Sequence, residues 1–243
     1  MRLVNRLLSK LGYQVVRASG AWPVFVDAEF RACYERHRSE TRLPWQVLYD
    51  AYNAVHYVVE AGVPGDIVEC GVWRGGCSLL MAETLIAAGV TDRRVFMYDT
   101  YEGMVRPSDE DTKIGTGGKA SDKFEAMAMW QYAPIEEVER NVARSLYPRE
   151  QFVLVKGPVE DTIPATMPEA IALLRLDTDF YESTKHELVH LFPRLSAGGV
   201  LIVDDYGAWA GSRKAVQEYL AATEQRMLLY QNTSYGSVTS VKR

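Results

Sequence analysis

Apolar and polar positions along the chain follow two periods. From 45 to 62 (WQVLYDAYNAVHYVVEAG), Val47, Leu48, Ala51, Val55 and Val58 recur at spacings of three and four, the stripe of an amphipathic helix. Gly62 ends it, and Pro64-Gly65 forces a turn. Short apolar runs come next: DIVEC (66–70), RVFMYD (94–99), QFVLVK (151–156), AIALLRLD (170–177) and GVLIVDD (199–205). Each is predicted as a strand covered on both faces, because a strand with one wet face would alternate. Helical patterns separate them at about 76–88, 134–145, 182–195 and 211–223. Strand–helix alternation needs right-handed crossovers, so the chain is predicted to be α/β, with an open, doubly wound, mostly parallel sheet. The tail adds MLLYQN (227–232) and GSVTSVK (236–242). Their link is too short for a crossover, which predicts an antiparallel hairpin.

Two stretches break the rhythm. Residues 101–133 run long after the second strand and mix Gly, Asp and Ser with Met and Trp. Long loops in compact domains are lids or disordered, and Phe124, Met129 and Trp130 predict a lid that closes over a ligand. Residues 1–44 precede the alternating pattern of 45–243. Their opening, MRLVNRLLSKLGYQVVR, spaces leucines and valines for one apolar helical face. This predicts a docking or oligomerisation segment, with a membrane-surface helix as the alternative. It lacks the continuous apolar core of ~7–15 residues of a secretory signal. No run of ~18 apolar residues occurs to span a bilayer. Across all 243 residues, 47% hydrophobic and 24% charged composition excludes wholesale disorder. A net charge of −5 leaves no basic footprint for nucleic acid. Cys33, Cys70 and Cys77 show no metal-ligand spacing and cannot all pair, which points to a reducing, cytoplasmic setting.

The chemistry concentrates at strand ends. VECGVWRGGCS (68–78) runs strand, turn, helix. Gly71 permits the sharp turn. Gly75 and Gly76 let a ligand approach the helix start, where free N–H groups favour an anion. Trp73 stands where G-x-G-x-x-G needs its second glycine, which disfavours a dinucleotide pyrophosphate. Glu69 can instead meet a cationic amine. A ligand with an amine, a carboxylate and a nucleoside suits this loop, namely S-adenosylmethionine, and Ser78 is counted in the same cofactor site. Asp99, at the end of the second strand, is placed to bind ribose hydroxyls. In KGPVEDTIP (156–164), Val159 is expected against the adenine ring and Glu160 at its edge.

The fourth strand ends in Asp177 and Asp179, and the fifth in Asp204 and Asp205. Neighbouring strands lie ~4.8 Å apart, so these acids converge. Two carboxylates ~4 Å apart repel by about 4 kcal/mol at an effective dielectric of 20. Either some stay protonated or a cation holds them. Oxygen-only ligands select a hard ion, Mg²⁺ or else Mn²⁺ or Ca²⁺. Asp177, Asp204 and Asp205 are the expected ligands, leaving Asp179 as general base. Tyr49, Tyr181 and Tyr206 are candidate acceptor contacts. His186-Glu187-Leu188-Val189-His190 matches the zinc-protease pattern H-E-x-x-H. Its helix follows a parallel strand, however, and its C-terminal half points away from the ligand edge, so surface histidines are the preferred reading.

Together GDIVECGVWRGG, YDTYEGM, VKGPVEDTIP, LRLDTDFYEST and GGVLIVDDY resemble the macrocin O-methyltransferase family, which includes macrolide deoxysugar and aminocoumarin noviose O-methyltransferases. The resemblance covers about residues 42–243, with five motifs in order, and Trp73 is usual there. It implies a class I, Rossmann-like methyltransferase fold, which the closing antiparallel strand also fits. It further implies S-adenosylmethionine, Mg²⁺, a homo-oligomer (dimer or higher), and transfer to a sugar hydroxyl of a glycosylated small molecule or glycan. The family's metal ligands fall on Asp177, Asp204 and Asp205, its base on Asp179, its strand-end acid on Glu69 and its ribose acid on Asp99. Residues 1–40 and 101–133 match least; in the family these regions help enclose the acceptor. A catechol-type phenol would need the same metal and acids. A non-catalytic cofactor-binding protein would need no Asp179.

Overall fold

The computed structural model of the chain describes residues 22–231 and 236–243. The five apolar runs form β1 (Asp66–Cys70), β2 (Val95–Asp99), β3 (Phe152–Lys156), β4 (Ile171–Leu176) and β5 (Leu195–Val203). The tail forms β6 (Tyr230–Gln231) and β7 (Val238–Val241). They make one sheet of order β3-β2-β1-β4-β5-β7-β6. β1 to β5 pair in parallel, and β7 runs antiparallel to both β5 and β6. The chain progresses outward from β1 on one side and from β4 on the other. A crevice therefore opens beyond the C-terminal ends of these two strands, where such sheets bind ligands.

The helices are α1 (Ala28–His37), α2 (Trp45–Glu60), α3 (Gly76–Ala87), α4 (Phe124–Trp130), α5 (Ile135–Val142), α6 (Val159–Thr162), α7 (Tyr181–Leu191) and α8 (Ala210–Ala222). Strand side chains alternate between two cores. Ile67, Met97, Leu173 and Ile202 pack with α1, α2, α3 and α5. Val68, Tyr98, Leu174 and Val203 pack with α6, α7 and α8. Both faces are dry, which is why the strands read as continuous apolar runs. The stripe expected on α2 is buried at all five positions.

Several boundaries differ from expectation, three of them with a clear cause. The helix expected to reach 195 stops at Leu191, since Pro193 cannot continue it and a tight turn over Phe192–Arg194 follows. β5 starts at Leu195 instead of 199: Gly198 and Gly199 carry no apolar signal, yet their backbones exchange hydrogen bonds with Lys242 at 2.7 and 2.8 Å. β6 is only two residues long, and the turn of the expected hairpin falls in 232–235, outside the described residues.

Residues 1–21 also lie outside the described part. Residues 22–44, expected as a docking segment, pack onto their own domain. Asp27 caps α1 by accepting the Phe30 N–H at 2.7 Å, and Val26, Phe30 and Cys33 join the core beneath α3. Arg36 and His37 then pair with Glu83 of α3 at 2.6 and 2.9 Å. In the 101–133 insertion, Asp111 is buried. Short antiparallel bridges join Thr112 to Lys119 and Lys113 to Trp209. Of the aromatic and methionine cluster expected there, Met129 is 78% exposed. The Trp130 side chain is outside the described set. Among the described residues no helix is long and apolar enough to cross a membrane.

Phe30 has no solvent exposure. Phe30→Ala should therefore cost about 3–5 kcal/mol in urea unfolding. A loss below about 1 kcal/mol would show that α1 is not part of the core.

Candidate active site

A cavity of about 240 Å³ opens at the switch point. One end is lined by Asp99, Gly157 and Val159, the floor by Gly71 and Trp73, and the other end by Asp177, Asp179, Asp204 and Asp205. Residues 40–43 close one side, and Gly103, Met104 and Val105 of the insertion line another.

The floor is fixed by backbone contacts. Gly71 has φ 82°, and a Cβ there would lie 2.1 Å from the Asp177 carbonyl oxygen, so only glycine lets the β1 and β4 loops touch. The Asp99 carboxylate accepts N–H bonds from Val72, Trp73 and Tyr101 at 2.9, 3.0 and 2.8 Å. It thereby ties the glycine loop to β2, and burial pushes its carboxyl up. Trp73 adopts φ 49°, with the Arg42 guanidinium 4.3 Å from its ring centroid. The space left by Gly75 and Gly76, expected to admit a ligand, is taken by protein. A Cβ on Gly75 would meet Met97 at 2.9 Å, and Gly76 donates its N–H to the Glu40 carbonyl at 3.0 Å.

At the acid end stands a residue that the sequence reading passed over. Arg175 and Glu69 are register partners on β4 and β1 and point to the same face. Arg175 is fully buried. Its guanidinium reaches Glu69 and Asp177 at 2.7 Å and Asp204 at 2.8 Å. Glu69 also accepts from the Ser78 hydroxyl. Glu69 lines the cavity with its charge already engaged, and Ser78 acts on it from behind. The signal was legible in LRLD: a charge inside a run buried on both faces must be paired.

One carboxylate oxygen each of Asp177, Asp204 and Asp205 lies within 4.8 Å of the others. Burial pushes the Asp177 and Asp205 carboxyls well up and neighbouring acids add to this, while Arg175 opposes it. Asp179 sits in the left-handed region at φ 66°. It accepts from the Trp209 indole N–H at 2.9 Å and donates its own N–H to Asp205 at 3.2 Å. Burial raises its carboxyl to about 6, with Asp204 adding and the Trp209 hydrogen bond opposing.

Other expected residues fall outside the cavity. Glu160 accepts from Ser183 at 2.8 Å, and it is Ser183 that lines the wall. Tyr49 packs edge-on to Phe30 at 4.9 Å and donates to the Phe25 carbonyl. The Tyr181 hydroxyl donates to Glu218 at 2.6 Å. Tyr206 lies beneath the Arg213 guanidinium, 5.2 Å from its ring centroid. None of these three tyrosines lines the cavity; each ring is held by a protein partner instead. His186 and His190 lie side by side, their centroids 4.4 Å apart. Glu187 is turned into the core, where it accepts from Thr178. Among the described residues, a second group with metal-ligand geometry is Cys33, His37 and Glu83. There Glu83 already carries Arg36 and His37.

The sheet order with its antiparallel β7, and a cavity at the switch point, define a class I methyltransferase fold. The family model described as Macrocin-O-methyltransferase (TylF) matches residues 42–230. The chain belongs to that family. It is 40% identical over 170 residues to the Streptomyces olivaceus 8-demethyl-8-(2,3-dimethoxy-alpha-L-rhamnosyl)-tetracenomycin-C 4'-O-methyltransferase, covering 68% of this chain and 61% of the relative. It is 38% identical over 174 residues to the Streptomyces niveus demethyldecarbamoylnovobiocin O-methyltransferase, covering 70% of this chain and 63% of that one. The chain thus spans about six-tenths of the length of these relatives. The solved O-methyltransferase NovP superposes with a TM-score of 0.71 at 34% identity, over 84% of this chain and 82% of that one.

Arg175→Met leaves Glu69, Asp177 and Asp204 without their buried partner, and should destabilise the fold by about 3–5 kcal/mol at pH 8. Arg175 holds Asp177 down, so its removal lifts that folded-state pKa further above the unfolded value. The folded variant then binds more protons, and its deficit shrinks as pH falls from 8 toward 5. A deficit independent of pH in urea titrations would refute the electrostatic role.

Proposed function

We propose that the chain is an S-adenosylmethionine- and Mg²⁺-dependent O-methyltransferase acting on a sugar hydroxyl of a glycosylated small molecule. The carrying observation is that one cavity joins a strand-end carboxylate suited to ribose, Asp99, to an all-oxygen cluster at Asp177, Asp204 and Asp205. The sugar class is supported by relatives named for a rhamnosyl tetracenomycin and a demethylated novobiocin.

The donor set fits the metal. Arg175 takes Oδ2 of Asp177 and Oδ1 of Asp204, so the second oxygen of each, with Asp205, makes up a hard-ion ligand set. Asp177, Asp204 and Asp205 would hold Mg²⁺, which acidifies and orients an acceptor hydroxyl. Asp99, Gly71 and Val159 would hold S-adenosylmethionine, which supplies an electrophilic methyl group. Asp179 takes the hydroxyl proton on Oδ2 while Trp209 holds Oδ1, an effect typically worth ~10²–10⁴-fold. The locked loops of β1, β2 and β4 set the relative placement of the reactants, and such alignment contributes up to ~7–11 kcal/mol. Residues 40–43 and Met104 and Val105 shield the reacting centre from water.

Calorimetry with S-adenosylhomocysteine should show binding that Asp99→Ala weakens at least ~10-fold, as expected when a charged hydrogen-bond partner is removed. Equal affinity would reject the nucleoside end of the site. With a panel of rhamnosides and catechols as acceptors, EDTA should abolish transfer and Mg²⁺ restore it. Asp179→Asn should retain S-adenosylhomocysteine binding while transfer falls ~10²–10⁴-fold. Chelation without effect would remove the metal, undiminished turnover would remove the base, and turnover of catechols alone would remove the sugar.

A further inference from the structure

We propose that residues 108–114 of the insertion form a brace that sets the position of Asp179, with Asp111 and Trp209 as positioning residues; this rests on the reading of Asp179 as proton acceptor. Asp111 is only 1% exposed. Its Oδ1 accepts the Tyr181 N–H at 2.8 Å, and its Oδ2 accepts the N–H and hydroxyl of Ser108 at 2.7 and 2.9 Å. Tyr181 opens α7 two residues after Asp179, and the residue at the helix's own cap position is Phe180, which offers no side-chain acceptor. A helix start left with unpaired N–H groups is costly when buried. Asp111 supplies the missing cap from 70 positions earlier in the chain.

The same segment continues to the other side of Asp179. The Ala210 N–H donates to the Thr112 carbonyl and the Ile114 N–H to the Ala208 carbonyl, both at 2.9 Å, bracketing Trp209. The Trp209 indole then donates to Asp179 Oδ1 at 2.9 Å, and its ring stands edge-on to Phe180 at 5.7 Å. The fit is close. A Cβ on Gly211 would lie 1.9 Å from Asp111 Oδ1. Asp179 is a non-glycine residue at positive φ, a strained conformation that persists only when the surroundings over-determine it. The brace supplies that over-determination through both flanking elements. A segment tethered merely for stability would not need to meet both of them.

The test uses the full chain with ¹⁵N-labelled tryptophan, the Trp209 indole resonance being assigned by its loss in Trp209→Phe. Asp111→Ala and Gly211→Ala should each shift that resonance. They should also lower kcat about 10²-fold, the scale of a small misplacement of a reacting group, with S-adenosylhomocysteine affinity unchanged. Asp111→Asn keeps an acceptor for Tyr181 and should recover most of the rate. Gly211→Ala displaces the carboxylate without removing it, so the test survives an unfolded Asp111→Ala. An unmoved indole resonance, or parallel losses of kcat and S-adenosylhomocysteine affinity, would overturn the brace. Full turnover by Asp179→Asn would remove the base assignment alone, because the indole resonance reports the brace without any turnover.

Discussion

Arg175 is buried between two apolar layers, bound to Glu69, Asp177 and Asp204. A carboxylate drawn out of water is tolerated only if paired, and here one guanidinium serves three acids at the ends of β1, β4 and β5. It does not neutralise them. Asp179 and Asp205 add to the same cluster, and burial, with repulsion between the neighbouring acids adding to it, keeps the carboxyls of Asp177, Asp179 and Asp205 raised. An acid cluster whose built-in counter-charge is smaller than its own charge is relieved by protons or by a further cation.

Rigidity at the site comes from short-range contacts between strand ends. Gly71 against Asp177 locks β1 to β4. Asp99 against Val72 and Trp73 locks β2 to the same loop. Gly76 against Glu40 draws residues 40–43 over the helix start. Asp99 serves here as an architectural acceptor, and it also lies on the cavity wall.

The sheet was legible because burial on both faces removes polar positions from the strands, as Ile67 and Val68 show by pointing into different cores. α1 was not: of AEFRACYERH only Phe30, Cys33 and His37 are buried, a stripe too narrow to stand out from its charges. The four acids were legible as a cluster because strand order brings their ends together. Their partner was not, although Arg175 lies in the same motif, because a cluster of strand-end acids is relieved equally by protonation or by an external ion. Asp111 and Trp209 carry no local signal at all. Their meaning lies in contacts with Tyr181 and Asp179, 70 and 30 positions away.

Composition alone makes the insertion look like a single flexible element, yet its parts differ in what holds them. Residues 103–105 line the cavity, while 108–114 are bound to the elements on both sides of Asp179. If the cavity wall selects the acceptor and the brace sets the base, the two demands meet within a dozen residues of chain. Substitutions at Met104 and Val105 reshape the wall directly, whereas Gly103, at φ 100°, does not tolerate a side chain without strain. Substitutions at Asp111 or Gly211 reach the reacting centre however well the acceptor fits.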